Sequence, residues 1–219
     1  MTIALPPDLL QRAAAMIASG RRLLGIAGPP GGGKSTLAQA LQEHFAADAV
    51  VVPMDGFHLA NAELARLGRA GRKGAADTFD AAGYVALLRR LRAQGAGETV
   101  YAPVFRREIE EPIAGAIPVE PDTRLVITEG NYLLLDQGPW AAVRALLDEA
   151  WFVDTDDGQR RERLVRRHMQ FGRSLEAARA WVEHTDEPNA RLIAASRARA
   201  DLVVDWPASA APPGALRMP

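Results

Sequence analysis

The stretch GIAGPPGGGKST, residues 25–36, lies between a short apolar run and a segment with helical periodicity. From Gly28 to Ser35 it fits the spacing G-x-x-x-x-G-K-[ST] in full, in the strand, loop and helix context that this motif requires. Glycines let backbone N–H groups turn inward around phosphate oxygens, and the N-terminus of the following helix adds positive potential. The stretch therefore predicts a loop that binds the phosphates of a nucleoside triphosphate.

Two side chains of this loop have predicted roles. Lys34 reaches the β- and γ-phosphates as a compact ammonium, and Ser35 offers its hydroxyl to Mg²⁺. We expect ATP and Mg²⁺ as cofactors, with the nucleotide held by Gly28, Pro29, Pro30, Gly31, Gly32, Gly33, Lys34, Ser35 and Thr36. The alternative is a flexible glycine loop with a chance lysine, and the flanking strand and helix argue against it.

The composition limits the class of protein. A chain of 219 residues with 48% hydrophobic residues is expected to form one domain, residues 1–219. Its 26 basic and 27 acidic residues leave a net charge of −1, so we expect no membrane or nucleic-acid partner. The absence of cysteine and of a basic, apolar leader predicts a cytoplasmic protein. A homodimer is compatible with the sequence.

Short apolar runs alternate with helical segments along the chain. Strands are predicted at residues 22–28, 49–58, 124–130, 150–156 and 200–206, and helices at 9–18, 34–45, 81–95, 141–150, 158–172 and 175–184. Residues 100–120 are broken by prolines and predict a hairpin or a long loop. This order favours an α/β fold, a three-layer αβα sandwich with a parallel sheet and a site at the carboxyl ends of its strands.

Three segments outside this framework have their own predictions. An acceptor-side insertion is expected at about residues 56–80, with a Gly- and Arg-rich surface stretch within it. A helical lid is expected at about residues 158–175. The Pro- and Ala-rich residues 207–219 are expected to fray.

The lysine content separates classes of nucleotide-binding protein. Guanine-specific proteins read their base through an Asn/Thr-Lys-x-Asp element. Lysine occurs only at positions 34 and 73, and Lys73 is followed by Gly-Ala, so guanine specificity is not expected. Transport and motor ATPases need a signature loop or a coupled domain, for which 219 residues leave little space. A small-molecule kinase needs only the phosphate loop, a metal carboxylate, a base and a lid, and the sequence favours this class.

Two acids lie near the carboxyl ends of predicted strands, Asp55 directly after VVVPM and Glu129 directly after RLVIT. Asp55 is placed to take the proton of a substrate hydroxyl as it attacks the γ-phosphate, although an Asp before Gly56 is also typical of a turn. Glu129 is placed to hold Mg²⁺ directly or through a water, although it is also compatible with a surface loop acid. The rule that ligands bind beyond the carboxyl ends of strands favours the functional interpretation of both.

The lid is predicted from the arginines Arg160, Arg163 and Arg167, whose spacing places them on one helix face. Guanidinium groups there could neutralise charge on the transferring phosphoryl group. The alternative is a solvated face paired with acids, and which arginine acts is left open. His58 lines the acceptor pocket or only packs in the core. The competing function is an RNA-associated or regulatory ATPase that uses this arginine face, but no aromatic residue interleaves with it.

Several motifs in chain order, MDGFH, PVF-R, ITEG, the run from VDTD to RRH and ADLVV, resemble those of the P-loop uridine kinase, phosphoribulokinase and pantothenate kinase superfamily. More narrowly, the chain looks like a bacterial nucleoside/nucleotide kinase-like group whose members are often labelled fructose-transport kinases or uridine kinase-like proteins. The resemblance implies Lys34 and Ser35 as phosphate and metal ligands, Asp55 as general base, Glu129 as second acid, and the segment from Arg163 to Arg167 as lid.

The resemblance also implies an acceptor pocket around Asp77 and the segment from Tyr101 to Arg107. Uridine kinases have an Asn-Phe-Asp-His-Pro-Asp-like run where residues 72–77 of this chain read Arg-Lys-Gly-Ala-Ala-Asp, without the aromatic residue and acid that would hold a nucleoside. This difference weakens the hypothesis that the acceptor is a nucleoside itself, and we expect a sugar or a nucleoside-like metabolite. The basic pairs at 72–73 and at Arg106 and Arg107 could meet a phosphate or carboxylate on the acceptor, or only water.

Overall fold

The structure, a computed structural model, describes residues 4–206. The α-helices run Pro7–Ala18 (α1), Lys34–Phe45 (α2), Asn61–Arg66 (α3), Ala81–Ala93 (α4), Asp157–Gln170 (α5), Leu175–Trp181 (α6) and Glu187–Ala194 (α7). The strands run Arg22–Ala27 (β1), Ala49–Pro53 (β2), Val100–Arg106 (β3), Glu111–Val119 (β4), Leu125–Gly130 (β5), Glu149–Asp154 (β6) and Leu202–Asp205 (β7). The frayed tail predicted at 207–219 lies outside the described residues.

Five strands form one sheet in the order β2-β5-β1-β6-β7, and every neighbouring pair is parallel. Parallel strands need helical crossovers, and these cover the two faces of the sheet. The predicted α/β fold with a parallel sheet between helical layers is confirmed. Among the described residues no helix is both long and apolar enough to cross a membrane.

The hydrophobic core has two parts, one on each face of the sheet, because side chains alternate along each strand. In β1, Leu24 and Ile26 pack with α1 and α2 on one face. Leu23 and Ala27 point to the other face, where α4 contributes a row of buried side chains, Tyr84, Val85, Leu88 and Leu91. Fully burying each large apolar side chain contributes about 1.5–3 kcal/mol, so both faces anchor the strands.

Strands β3 and β4 form a separate antiparallel hairpin. A hairpin was one of the two alternatives predicted for residues 100–120, the other being a long loop. The hairpin packs against the 3₁₀ turn Met54–Phe57 that follows β2. A side chain at Gly56 would clash with the carbonyl group of Pro103, so glycine permits this close approach. The hairpin therefore reaches the carboxyl edge of the main sheet beside Asp55.

The prediction of a helix at residues 141–150 is wrong. The chain forms two 3₁₀ segments, Gly138–Ala142 and Arg144–Leu146, and then enters β6. Leu147 has extended backbone angles and packs directly over Gly25. The carboxylate of Asp148 accepts a hydrogen bond from the backbone N–H of Leu23 at 2.8 Å. These tertiary contacts outweigh the helix propensity of the segment.

The predicted helices at 158–172 and 175–184 form as α5 and α6, with one departure. After Trp181 the chain makes a π-helical turn, Val182–Asp186, that leads into α7. Asp186 is buried in this turn, and its Oδ2 lies 2.8 Å from Nε2 of His168 on α5. A π turn is rare and is often found beside functional sites, and here it ties α7 to the predicted lid helix.

Candidate active site

The phosphate loop joins β1 to α2 and is held in shape by its neighbours. Gly31 and Gly33 have positive φ angles of 78° and 97°. A Cβ atom at Gly31 would lie 2.8 Å from the carbonyl oxygen of Arg160, and one at Gly33 would lie 2.9 Å from the Trp206 ring. Thr155 supports the same loop by donating to the Gly32 carbonyl at 2.8 Å. The loop therefore has the left-handed turns that orient backbone N–H groups toward an anion.

Lys34 begins α2, and its side chain lies buried under the loop. Its Nζ donates to the carbonyl oxygen of Pro29 at 3.0 Å. Burial lowers the pKa of Lys34 to about 8, against the opposing charges of Glu129 and Asp55. A buried ammonium with one carbonyl acceptor is suited to bind phosphate oxygens when they enter the loop.

Glu129 and Ser35 meet at the carboxyl edge of the sheet. Glu129 lies near the end of β5, and its Oε1 accepts a hydrogen bond from Ser35 Oγ at 2.9 Å. Burial and the nearby charge of Asp55 raise the pKa of Glu129. The described residues contain no group of three or more His, Asp or Glu side chains that could hold a metal ion. One hydroxyl and one carboxylate instead fit Mg²⁺, which usually keeps several waters and phosphate oxygens as ligands.

Asp55 lies in the 3₁₀ turn after β2 and forms an ion pair with Arg107, Nη2 to Oδ2, at 3.2 Å. Burial alone would raise the pKa of Asp55, but nearby positive charge, from His58 in its protonated form and from Arg107 and Lys34, lowers it below its ordinary value. The carboxylate is therefore ionised at neutral pH. The charges of Glu129 and Asp55 both act on the pKa of Lys34, and those of Asp55 and Lys34 act on the pKa of Glu129, so the sheet edge brings the three groups together.

His58 belongs to the wall of the same site. Its Nδ1 donates to the backbone carbonyl of Asp55 at 2.8 Å. Its ring lies between those of Phe79 and Phe105, with ring centroids 4.0 and 4.5 Å away. Burial lowers the pKa of His58. The imidazole thus adds an apolar and largely neutral surface beside Asp55.

The predicted lid arginines divide into two kinds. Arg163 donates to the carbonyl oxygen of Gly31 at 3.2 Å, and its buried Nη2 has no hydrogen-bond partner among the described residues. Burial, and then the charge of Arg107, lower the pKa of Arg167, and the charges of Asp186, Asp55 and Glu129 act on it in the opposite direction. Both side chains suit an anion that the loop would hold.

Arg160 has a structural role. It is 1% exposed and forms ion pairs with Asp157 at 3.0 Å and with Glu187 of α7. Its Nη1 also approaches the carbonyl oxygen of Pro30 at 3.5 Å. Arg160 and Arg163 on α5 are therefore turned toward the loop and α7.

The structure does not bring every predicted acceptor residue to the site. Asp77 pairs with Arg72 at 2.6 Å and with Arg69 at 3.5 Å. The Tyr101 side chain is 58% exposed on the hairpin. Arg106 makes no side-chain hydrogen bond or ion pair with any residue between 4 and 206, whereas Arg107 contacts Asp55.

Sequence reasoning did not single out Phe105 or Thr155. Phe105 stacks on His58 and lies within the segment from Tyr101 to Arg107 that the resemblance implied for the acceptor pocket, but this proline-broken segment carried no periodic signal that would select it. Thr155 follows β6, and the strand-end rule that selected Asp55 and Glu129 could have found it.

The sequence profile described as the phosphoribulokinase / uridine kinase family matches residues 23–209. This chain belongs to that family. Within the family it is 42% identical over 125 residues to the ATP-dependent kinase-like protein notR' of Aspergillus versicolor, covering 54% of this chain and 73% of that protein. It is 37% identical over 189 residues to a "putative uridine kinase" of Schizosaccharomyces pombe, covering 82% and 80% of the two chains.

A solved structure adds a family member of similar length. The "putative fructose transport system kinase" from Silicibacter sp. TM1040 superposes with a TM-score of 0.77 at 39% identity, covering 91% of this chain and 98% of that one. The YFH7 protein of Saccharomyces cerevisiae superposes with a TM-score of 0.75 at 20% identity, which shows a shared fold. The chain is thus a P-loop kinase of a family that acts on small metabolites.

Proposed function

We propose that this protein transfers the γ-phosphate of ATP to a hydroxyl group of a small metabolite, a sugar or nucleoside-like compound, with Asp55 as general base. The observation that carries the proposal is an ionised Asp55 that shares one sheet edge with Lys34 and with the Ser35 and Glu129 pair. A phosphoryl transfer site needs a phosphate cradle, a metal carboxylate and a base at such an edge.

The residues of the phosphate loop fit a triphosphate. Gly31 and Gly33 hold the backbone in the shape that receives an anion, and the buried Nη2 of Arg163 lacks a partner among the described residues. Lys34 would exchange the Pro29 carbonyl for β- and γ-phosphate oxygens. Arg167 would approach the γ-phosphate and neutralise charge that develops during transfer.

Ser35 and Glu129 would hold Mg²⁺. Bound there, the metal ion supplies charge neutralisation of the phosphate oxygens during transfer. Glu129 has a raised pKa because it is buried near Asp55. A cation bound by Glu129 would stabilise the ionised form of this carboxylate.

Asp55 would accept the proton of the acceptor hydroxyl at its Oδ atoms as that oxygen attacks phosphorus in line. Its lowered pKa keeps it ionised and ready to accept a hydrogen bond. The predicted lid, about residues 158–175 with α5 as its helix, would limit the access of water, which otherwise competes with the acceptor hydroxyl.

ADP release in the presence of ATP and Mg²⁺ tests the proposal. The acceptor panel contains sugars, because one relative is named for fructose transport, nucleosides, because another is named a uridine kinase, and pantothenate. We expect at least one sugar or nucleoside-like acceptor to stimulate ADP release well above the rate without acceptor. No stimulation by any acceptor, while ATP still binds, would count against the proposal.

A further inference from the structure

Most basic groups of the acceptor-side insertion are already neutralised by neighbouring acids. Arg72 and Arg69 pair with Asp77 at 2.6 and 3.5 Å. Lys73 donates to the Asn61 side chain and lies 3.7 Å from a carboxylate oxygen of Glu110. These cations therefore hold the insertion together and have little capacity left for a ligand.

Arg107 differs from them. It makes one side-chain hydrogen bond within the described part of the chain, from Nη2 to Asp55 Oδ2 at 3.2 Å. A guanidinium has five N–H donors, so four remain for other acceptors. Its side chain is 40% exposed, and its Cζ lies 5.9 Å from the centre of the Phe105 ring. The group is thus oriented by an aromatic ring and open to the acceptor space.

The partner of Arg107 is the proposed base. The charge of Arg107 contributes to the lowered pKa of Asp55. The hydrogen bond from Arg107 also occupies one of the two carboxylate oxygens of Asp55. A carboxylate in an ion pair is a weaker base, and the acceptor hydroxyl must bind the same group. An acceptor that gives Arg107 another negative partner would remove this competition.

We propose that the acceptor carries an anionic group, a carboxylate or a phosphate, and that Arg107 binds this group while Asp55 binds the reactive hydroxyl. The inference rests on the proposed kinase function and narrows its substrate class to hydroxy acids and sugar phosphates. Guanidinium groups bind both anions through two parallel hydrogen bonds. Lys73 lies 5.0 Å from the centre of the same Phe105 ring, but it is already paired with Glu110, so Arg107 is the group that remains for the anion.

Related acceptors with and without an anionic group test the proposal. The two sets are glycerol, glycerate and glycerol 3-phosphate, and ribose, ribonate and ribose 5-phosphate. With ATP and Mg²⁺, we expect kcat/KM for the best anionic member to exceed that for its neutral partner by about 10- to 100-fold, the size of a charge-assisted hydrogen bond. Preference for the acid or the phosphate within the sets identifies which anion Arg107 binds.

Substitutions at the two adjacent arginines connect this preference to one side chain. Arg107→Gln should reduce the ratio of kcat/KM between anionic and neutral acceptors to about threefold or less. Arg107→Lys should retain part of the wild-type ratio because the positive charge remains. Arg106→Gln is the matched control and should keep the wild-type ratio. If Arg107→Gln does not fold, Arg107→Lys still tests whether this side chain determines the preference for anionic acceptors.

Two outcomes would overturn the inference. One is that neutral acceptors match or exceed their anionic partners in the wild-type protein. The other is that Arg107→Gln lowers activity on both members of a pair equally, which indicates a structural role. Both outcomes leave the kinase function standing, whereas ATP binding without phosphorylation of any acceptor in either panel contradicts the proposed function itself.

Discussion

Lys34 donates to the Pro29 carbonyl in a buried position, and burial lowers its pKa to about 8. This pKa sets the pH at which Lys34 loses its proton in the ligand-free protein. Above pH about 8 the free amine predominates in the ligand-free protein, while a bound triphosphate favours the ammonium. Binding of ATP must then restore the proton that burial removed.

We therefore predict that ATP binding at pH 8.5 takes up on the order of half a proton or more. Isothermal titration in two buffers with different ionisation enthalpies measures this uptake. Lys34→Arg is the matched control, because arginine stays protonated at this pH and should show no corresponding uptake. Binding heats of the wild-type protein that do not depend on the buffer would contradict the assigned role of Lys34.

The two acids of the site show how far sequence reasoning reaches at single residues. Asp55 and Glu129 were predicted from their positions after strands, and the structure places both at the same edge. Their opposite pKa shifts were not predictable, because burial dominates for Glu129 and neighbouring positive charges dominate for Asp55. The contact between Arg107 and Asp55 joins residues 52 positions apart, and no local pattern encodes it.

Helix α5 serves both folding and the proposed chemistry. Arg160 links it to α7 through Glu187, while Arg163 and Arg167 face the phosphate loop and the site. Periodicity placed the three arginines on one face, but their separate roles depend on the position of α7 and its π-helical turn.

At this scale we predict that Arg160→Ala lowers the free energy of unfolding by about 3 kcal/mol, because it breaks a buried ion pair with Glu187. Arg166→Ala on the same helix is the control. Arg166 is 78% exposed and pairs with Glu162, so its loss should change stability by no more than about 0.5 kcal/mol. Urea denaturation of both variants provides the comparison. Equal losses in the two variants would mean that Arg160 does not anchor the helix.

The predicted boundaries of helices and strands were wrong where tertiary contacts determine the backbone conformation. Residues 141–150 have helical composition, yet Leu147 fills the space over Gly25 and Asp148 bonds the backbone of β1. The positions of the main strands were predicted because each is a short apolar run, and β1 and β5 are buried on both faces of the parallel sheet. The strand predicted at 49–58 ends at Pro53, where the 3₁₀ turn begins.

For the whole molecule, the parallel sheet and the phosphate half of the site could be predicted from the sequence. Strand ends and the Gly-rich loop obey general rules, and the family relationship agrees with them. The proposed acceptor half lies on the hairpin and on the insertion between β2 and α4, outside the main sheet. Its contacts depend on packing between distant segments, so sequence rules could name its residues only in part.

The central claim is that Asp55 takes the acceptor proton during transfer of the γ-phosphate. The most direct test is a single turnover of γ-labelled ATP with the acceptor that stimulates ADP release most strongly, in the wild-type protein and in Asp55→Asn. We predict that the substitution slows transfer by about 10²-fold or more, while the Kd for ATP changes by less than about threefold. A variant that transfers phosphate at nearly the wild-type rate would contradict the claim.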